Sequence, residues 1–207
     1  MKKILLFAFL ACVFVSCSSD GSREIQIDEF AFVPDWKNDK IEDCQKVSSI
    51  FEVVPGKYEL AWTKVQELPQ AQHYNVSLKM KLRLKRTVKF SEKFINGISN
   101  ENCFFTSIKF ALLDADGKED SDVQGFYFGY KGCTNDGTTF DKDEYMDFIN
   151  FLQSKPGTEK EFELNSFGMK TSVDGVNCIE TCKNAKSVVC KVITDKSFES
   201  NYGTIVE

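Results

Sequence analysis

Eight cysteines and a single histidine are the residues of this chain whose types could carry chemistry. The closest set is Cys178, Cys182 and Cys190, spaced Cys-x3-Cys-x7-Cys. Metal and cluster sites use tighter Cys-x2-Cys pairs with a fourth ligand, and dithiol redox enzymes use Cys-x-x-Cys. This spacing therefore points to a disulfide before a metal. A nucleophile–base–carboxylate arrangement would have to use His73, between Gln72 and Tyr74 at the start of a strand pattern, with no local signature around it. No nucleophile elbow, phosphate loop or dinucleotide fingerprint occurs. The expectation is a protein that is not an enzyme and that needs no cofactor and no metal.

Three further groups could bind rather than react. Asp114, Asp116, Glu119, Asp120 and Asp122 surround Gly117. A calcium loop of the EF-hand kind places its glycine at position six, whereas Gly117 stands at position four, so Asp116-Gly117 reads as a turn between strands. Asn135-Asp136-Gly137 reads the same way. Lys79, Lys81, Arg83, Lys85 and Lys89 share one side of a strand and could receive an acidic partner. The chain offers its own acids for them. Glu159, Glu161 and Glu163 share one face of a later strand, and laying it antiparallel beside 76–86 sets acids opposite bases and helps fix the register. Tyr127 lies near Gly125 and Gly129, on the side away from Phe126 and Phe128. An aromatic flanked by glycines leaves a shallow surface on which a sugar ring can stack, and Trp36 and Trp62 are candidate contributors. The competing reading is a packed face in which glycine permits close backbone approach.

The N-terminus carries a different signal. Met1-Lys2-Lys3 precedes an apolar run from Ile4 to Val15, the n-region and h-region of a secretory leader. That run falls short of the ~20 residues a membrane span needs. Phe14-Val15-Ser16-Cys17 resembles the lipobox of bacterial lipoproteins, with Phe14 where Leu is usual. The resemblance implies that residues 1–16 are removed and that the Cys17 thiol receives a diacylglycerol. The new N-terminus is then acylated, for example with palmitate. Cys12, after Phe9-Leu10-Ala11, is the competing site, but it would leave apolar Val13-Phe14-Val15 at the mature start. Cys17 is followed by polar Ser18-Ser19-Asp20-Gly21-Ser22, which suits a tether over 17–24. Several acyl chains together give stable anchoring where one gives marginal binding. The expected partner is thus a membrane, reached through the N-terminal lipid, and the expected place is the bacterial cell envelope, at the outer membrane.

Composition narrows the rest. Net charge is −5, and the leader contains two lysines and no acid, so the mature chain is more acidic still. An acidic domain is not a general nucleic-acid binder. Setting Cys12 and Cys17 aside leaves Cys44, Cys103, Cys133, Cys178, Cys182 and Cys190, an even number that in an exported protein favours disulfides. Nineteen phenylalanines can fill one sizeable core, and 25–207 reads as a single domain.

The elements that would position these residues are mostly strands. Residues 25–45 are irregular, and 47–54 and 57–64 read as strands separated by Pro55-Gly56. From Tyr74 to Phe90 the even positions are apolar except Arg86, and the odd positions are polar, the period-two pattern of a strand buried on one face. Residues 103–114, 123–131, 158–167 and 187–194 follow as strands, with a short one near 204–206. One helix is expected at about 141–153, capped by Asp141 with Glu144 as capping-box partner, with Tyr145, Phe148, Ile149 and Leu152 on one stripe. The expected fold is all-β, an antiparallel immunoglobulin-like β-sandwich with that one short helix. Phe110-Ala111-Leu112-Leu113-Asp114 resembles the FxLYD strand and turn of small bacterial extracellular immunoglobulin-like domains, with Leu113 in place of Tyr. Pro156-Gly157-Thr158-Glu159 is similar to the start of a later strand in such domains. That resemblance implies a sandwich and transfers no active site. The function expected is a lipid-anchored, non-catalytic binding module for glycan or protein. The alternatives are a structural or assembly component of the envelope and, behind it, a hydrolase using carboxylates.

Overall fold

A computed structural model describes residues 20–35, 41–98, 108–119, 122–134, 137–172, 174–192 and 204–205. The chain runs β1 (Gly21–Ile27), β2 (Ala31–Pro34), α1 (Ile41–Ile50), β3 (Phe51–Val53), β4 (Gly56–Glu67) and β5 (Ala71–Leu84). In β5 every even position from Tyr74 to Leu84 is fully buried and every odd one stays partly exposed, as the alternation requires. The pattern breaks where the chain bends at Lys85-Arg86, so Arg86 is exposed, and β6 (Val88–Lys89) is a separate short strand.

Beyond it come α2 (Glu92–Gly97), β7 (Ile108–Leu113), β8 (Tyr130–Thr134), β9 (Gly137–Phe140) and α3 (Lys142–Leu152). β10 (Glu159–Thr171), α4 (Cys178–Asn184), β11 (Ser187–Val192) and β12 (Thr204–Ile205) complete the order. The first sheet has the order β1-β4-β5-β10, with β3 pairing the far end of β5, and all its ladders are antiparallel. The second has the order β2-β11-β7, in which β2 runs parallel to β11. Both sheets bury side chains in one core, from Leu60, Leu78 and Phe162 on the first to Phe110, Val188 and Cys190 on the second. The described chain is mostly β. Among the described residues no helix is long and apolar enough to cross a membrane.

The acid–base register is as the charge pattern requires. Glu159, Glu161 and Glu163 stand opposite Arg83, Lys81 and Lys79. Arg83 donates to Glu159 at 2.6 Å and to Glu52 at 3.0 Å, and Lys79 pairs with Glu59 of β4 at 2.7 Å. Exposed pairs of this kind contribute little to stability. Their use is registry, because a slip of one residue would turn the buried face of β5 outward. The basic stripe is thus the outer face of a charge-matched sheet.

Several expectations are corrected. Four helices, not one, occur among the described residues. Residues 41–50 form α1, which buries Cys44, Val47 and Ile50 at helical spacing, so the strand expected at 47–54 shrinks to Phe51–Val53. Residues 21–24, assigned to the tether, belong to β1 and pair with β4. Residues 123–131 are not one strand. Phe126 exchanges two backbone hydrogen bonds with Phe110 of β7 (3.0 and 2.8 Å), while Val123 and Tyr127 bridge to Gly168 and Asn165 of β10. This segment clasps one sheet to the other. The expected strand start at 103–107 lies outside the described residues. The helix near 141–153 is present as α3, with the Asp141 carboxylate accepting from the amides of Asp143 and Glu144. Those amides hold its pKa below the usual carboxylate range. Glu144, expected to complete a capping box, pairs its side chain with Lys131 instead.

Candidate functional site

The aromatic candidates separate. Trp36, like Cys17 and Cys103, lies outside the described residues. Trp62 is 6 % exposed and sits in the core, its ring 2.8 Å from where a Cβ on Gly21 would stand. It has no open face for a sugar, which corrects its assignment to the stacking surface. His73 is half-buried: its Nδ1 is 3.1 Å from Gln66 Oε1 and its ring meets Phe167 edge-on. Asp114, in the calcium-like loop, accepts the amides of Asp116 and Lys118 on Oδ1 at 2.9 Å each, with Gly117 at φ +73, so that loop is built as an Asx-type turn.

The cysteines also differ from expectation. Cys44, Cys178, Cys182 and Cys190 are all buried thiols, so the bridge sought first among the last three is not formed. Of Cys133 the backbone alone, in β8, is described. Cys178 and Cys182 occupy neighbouring turns of α4, whose buried positions Cys178, Thr181 and Cys182 form a helical stripe. The spacing that suggested a disulfide is the period of a helix face. Gly168 of β10 lets α4 approach, since a Cβ there would lie 2.6 Å from the Cys178 Cβ. Burial pushes the Cys178 thiol up to about 12, and that of Cys190 well above its ordinary value. A thiol whose folded pKa is raised favours the folded state fully below the unfolded value. That contribution is lost as pH climbs from about 9 through about 12. We therefore expect Cys178 and Cys190 to resist iodoacetamide at pH 8 without denaturant and to react in urea. Denaturant melts between pH 9 and pH 12 should show a falling midpoint. Equal alkylation with and without urea, read by peptide mass spectrometry, would contradict the burial.

Tyr127 leads to a polar cluster on the outer side of the second sheet. Lys109 of β7 and Lys191 of β11 stand directly opposite each other in the antiparallel pairing, an arrangement that is repulsive by itself. Asp35, just past β2, resolves it: its Oδ1 is 2.9 Å from Lys109 Nζ and 3.6 Å from Lys191 Nζ. Its own amide donates to the Val192 carbonyl at 3.0 Å, which locks it beside β11. Lys191 also pairs with Glu119, whose backbone bridges Leu113. The Asp35 side chain is 7 % exposed, and those of Lys191 and Lys109 are 16 % and 20 % exposed. The stem of Lys109 lies across Gly125, where a Cβ would come within 2.6 Å of its Cδ. So Gly125 serves close approach by a side chain, one part of the packed-face reading.

Tyr127 itself is half-buried, with its ring edge-on to Tyr130 at 6.4 Å. Burial, then the charges of Asp35 and Glu119, raise the pKa of its hydroxyl, which stays protonated and available as a donor. Two ammonium groups, two carboxylates and a phenol thus converge from five segments. They offer donors and acceptors side by side around a partly open aromatic ring. Asp35, Lys109 and Lys191 were not among the sequence candidates, and Glu119 entered only as a member of the calcium-like loop. The available signal was a single lysine inside each of two apolar strands, Ile108-Lys109-Phe110 and Cys190-Lys191-Val192. No family model, no curated protein and no solved structure matches the chain.

Proposed function

We propose that this chain is a lipid-anchored protein of the cell envelope whose domain binds a hydroxylated ligand, a glycan, without transforming it. The observation that carries the binding site is the Tyr127–Asp35–Lys109–Lys191 cluster: a half-buried aromatic beside paired charges on an outward sheet face. Sugars are held by this combination of a ring surface and planar donors and acceptors. Both carboxylates of the cluster are engaged by Lys191, so neither stands free to act on a bound sugar, and binding is favoured over hydrolysis. The lipid anchor rests on the leader and Cys17. An immunoglobulin-like sandwich is the fold reading we favour, on the ground that β1 and β2 divide the first strand between two sheets and β2 runs parallel to β11. The β4–β5 hairpin within one sheet departs from the immunoglobulin order.

The test is a screen of the domain lacking residues 1–17 against envelope polysaccharides and peptidoglycan fragments. Tyr127→Ala is expected to weaken a bound glycan about tenfold or more, and Tyr127→Phe to weaken it less, by loss of one hydrogen bond. A glycan that binds Tyr127→Ala as tightly as the parent would remove this face from consideration. A screen with no binder would leave an assembly role as the better reading.

A further inference from the structure

We infer that the tip of the β4–β5 hairpin rests in the surface of the bilayer, as a second contact beside the acyl anchor, so that the domain stands on its membrane end-first. This rests on acylation of Cys17, proposed above. Four large apolar residues are exposed among the described residues: Ile41, Val65, Leu68 and Met169. Three of them gather at one end of the first sheet. Leu68 precedes the Pro69-Gln70 turn, which is closed by backbone hydrogen bonds between Leu68 and Ala71 at 2.8 and 3.3 Å. Val65 occupies the register shift between Lys64 and Gln66, where a bulge leaves it out of the ladder. Met169 stands opposite His73, which stands opposite Gln66, so its strand end lies in the same row. The end of β10 is tied to the turn by the Ser172 amide donating to the Gln70 carbonyl at 3.2 Å.

The position of the anchor selects the occupant. The Asp20 carboxylate accepts the Lys64 amide at 2.7 Å, which fixes the start of the domain at this same end. β1 is antiparallel to β4, with Gly21 opposite Trp62, so the chain before Asp20 leaves in the direction in which β4 continues to its tip. Cys17 lies three positions before Asp20, a reach of at most ~10 Å when extended. From Lys64 to Leu68 the hairpin advances ~13 Å. An acyl group on Cys17 therefore enters the bilayer no farther out than about the level of Leu68, and tethering the domain within that reach brings Val65, Leu68 and Pro69 to the lipid. Lys170 flanks the apolar residues, as suits an interfacial contact, while Lys64 at the same end is paired with Glu67 at 2.8 Å.

The full chain, expressed with its leader, is reconstituted into vesicles of phosphatidylethanolamine and phosphatidylglycerol. It carries a fluorophore through Leu68→Cys or, at the opposite end of the sheet, Lys155→Cys, with the unlabelled-site background subtracted. Acylation is read separately, as the intact mass of the N-terminal peptide. The expected result is acyl mass on Cys17, with the position-68 probe shielded from aqueous iodide about fivefold relative to position 155 and quenched by nitroxide lipids. Equal accessibility of the two probes on an acylated chain overturns the docking and leaves the anchor standing. Absence of acyl mass on Cys17 overturns both.

Discussion

Replacing Asp35 by alanine is expected to lower the unfolding free energy by ~2–3 kcal/mol, because it leaves Lys109 and Lys191 opposed, partly desolvated and without their shared counter-ion. The loss falls short of that for a fully buried charge because both ammonium groups keep some contact with water. Glu119 still reaches Lys191, so the loss should fall mainly on the β7 side. A second substitution separates charge from packing. Lys109→Met in the Asp35→Ala background removes one of the opposed cations while keeping a stem to lie across Gly125, and it should restore about half of the loss. Urea melts of the parent, both singles and the double give the coupling directly. If the double variant is no more stable than Asp35→Ala, the pair is not coupled through charge and the account of the cluster fails. The same variants report on binding. A glycan that uses the cluster should bind the double variant poorly even where its stability has recovered, which distinguishes loss of ligand contacts from loss of fold.

The sequence showed most clearly those features whose signal is local or periodic. The alternation from Tyr74 to Leu84 needs no partner to be recognised, and the acids at 159, 161 and 163 carry the same period as the bases they meet. Asp141 and the stripe from Tyr145 to Leu152 likewise place α3. Three helices were not expected, α1, α2 and α4, and two of them were hidden for different reasons. In α1 the run from Val47 to Val54, rich in β-branched residues, overlaps a three-residue spacing of Cys44, Val47 and Ile50, and propensity points to strand where tertiary packing favours helix. In α4 the inward positions are thiols, so a helical period was read as covalent pairing. The segment 123–131 looks like a strand in the sequence because Phe126, Phe128 and Tyr130 alternate with Gly125, Tyr127 and Gly129. Its hydrogen bonds go to a different sheet on each side, which no alternation records. The polar cluster was illegible for a related reason. Its members come from residues 35, 109, 119, 127 and 191, and only the pairing of β7 with β11 brings the two lysines opposite each other.

Phe148→Ala is expected to be the most damaging single substitution described, at ~3–5 kcal/mol. Phe148 is 2 % exposed and lies at the centre of the aromatic core. It stacks on Phe128 with centroids 3.6 Å apart and planes at 7°, and meets Phe51 and Phe162 edge-on at 6.1 and 5.9 Å. These partners come from three different places: the turn after the clasp, β3 beside the far end of β5, and β10. Truncation thus empties a site that holds α3 to the first sheet and to the segment joining the sheets. The neighbours are rings fixed by their own contacts, with Phe162 also against Phe128 and Phe151, so they cannot collapse into the space. A domain of ordinary stability has ~5–15 kcal/mol to lose, so this variant should unfold at a markedly lower urea midpoint, with near-UV dichroism weakened before the transition. Phe148→Leu fills much of the volume without the stacking geometry and should lose about a third as much. The ordering Ala below Leu below parent is the diagnostic. Equal loss in the two variants would mean that the ring stack, and not the filled volume, holds α3 in place.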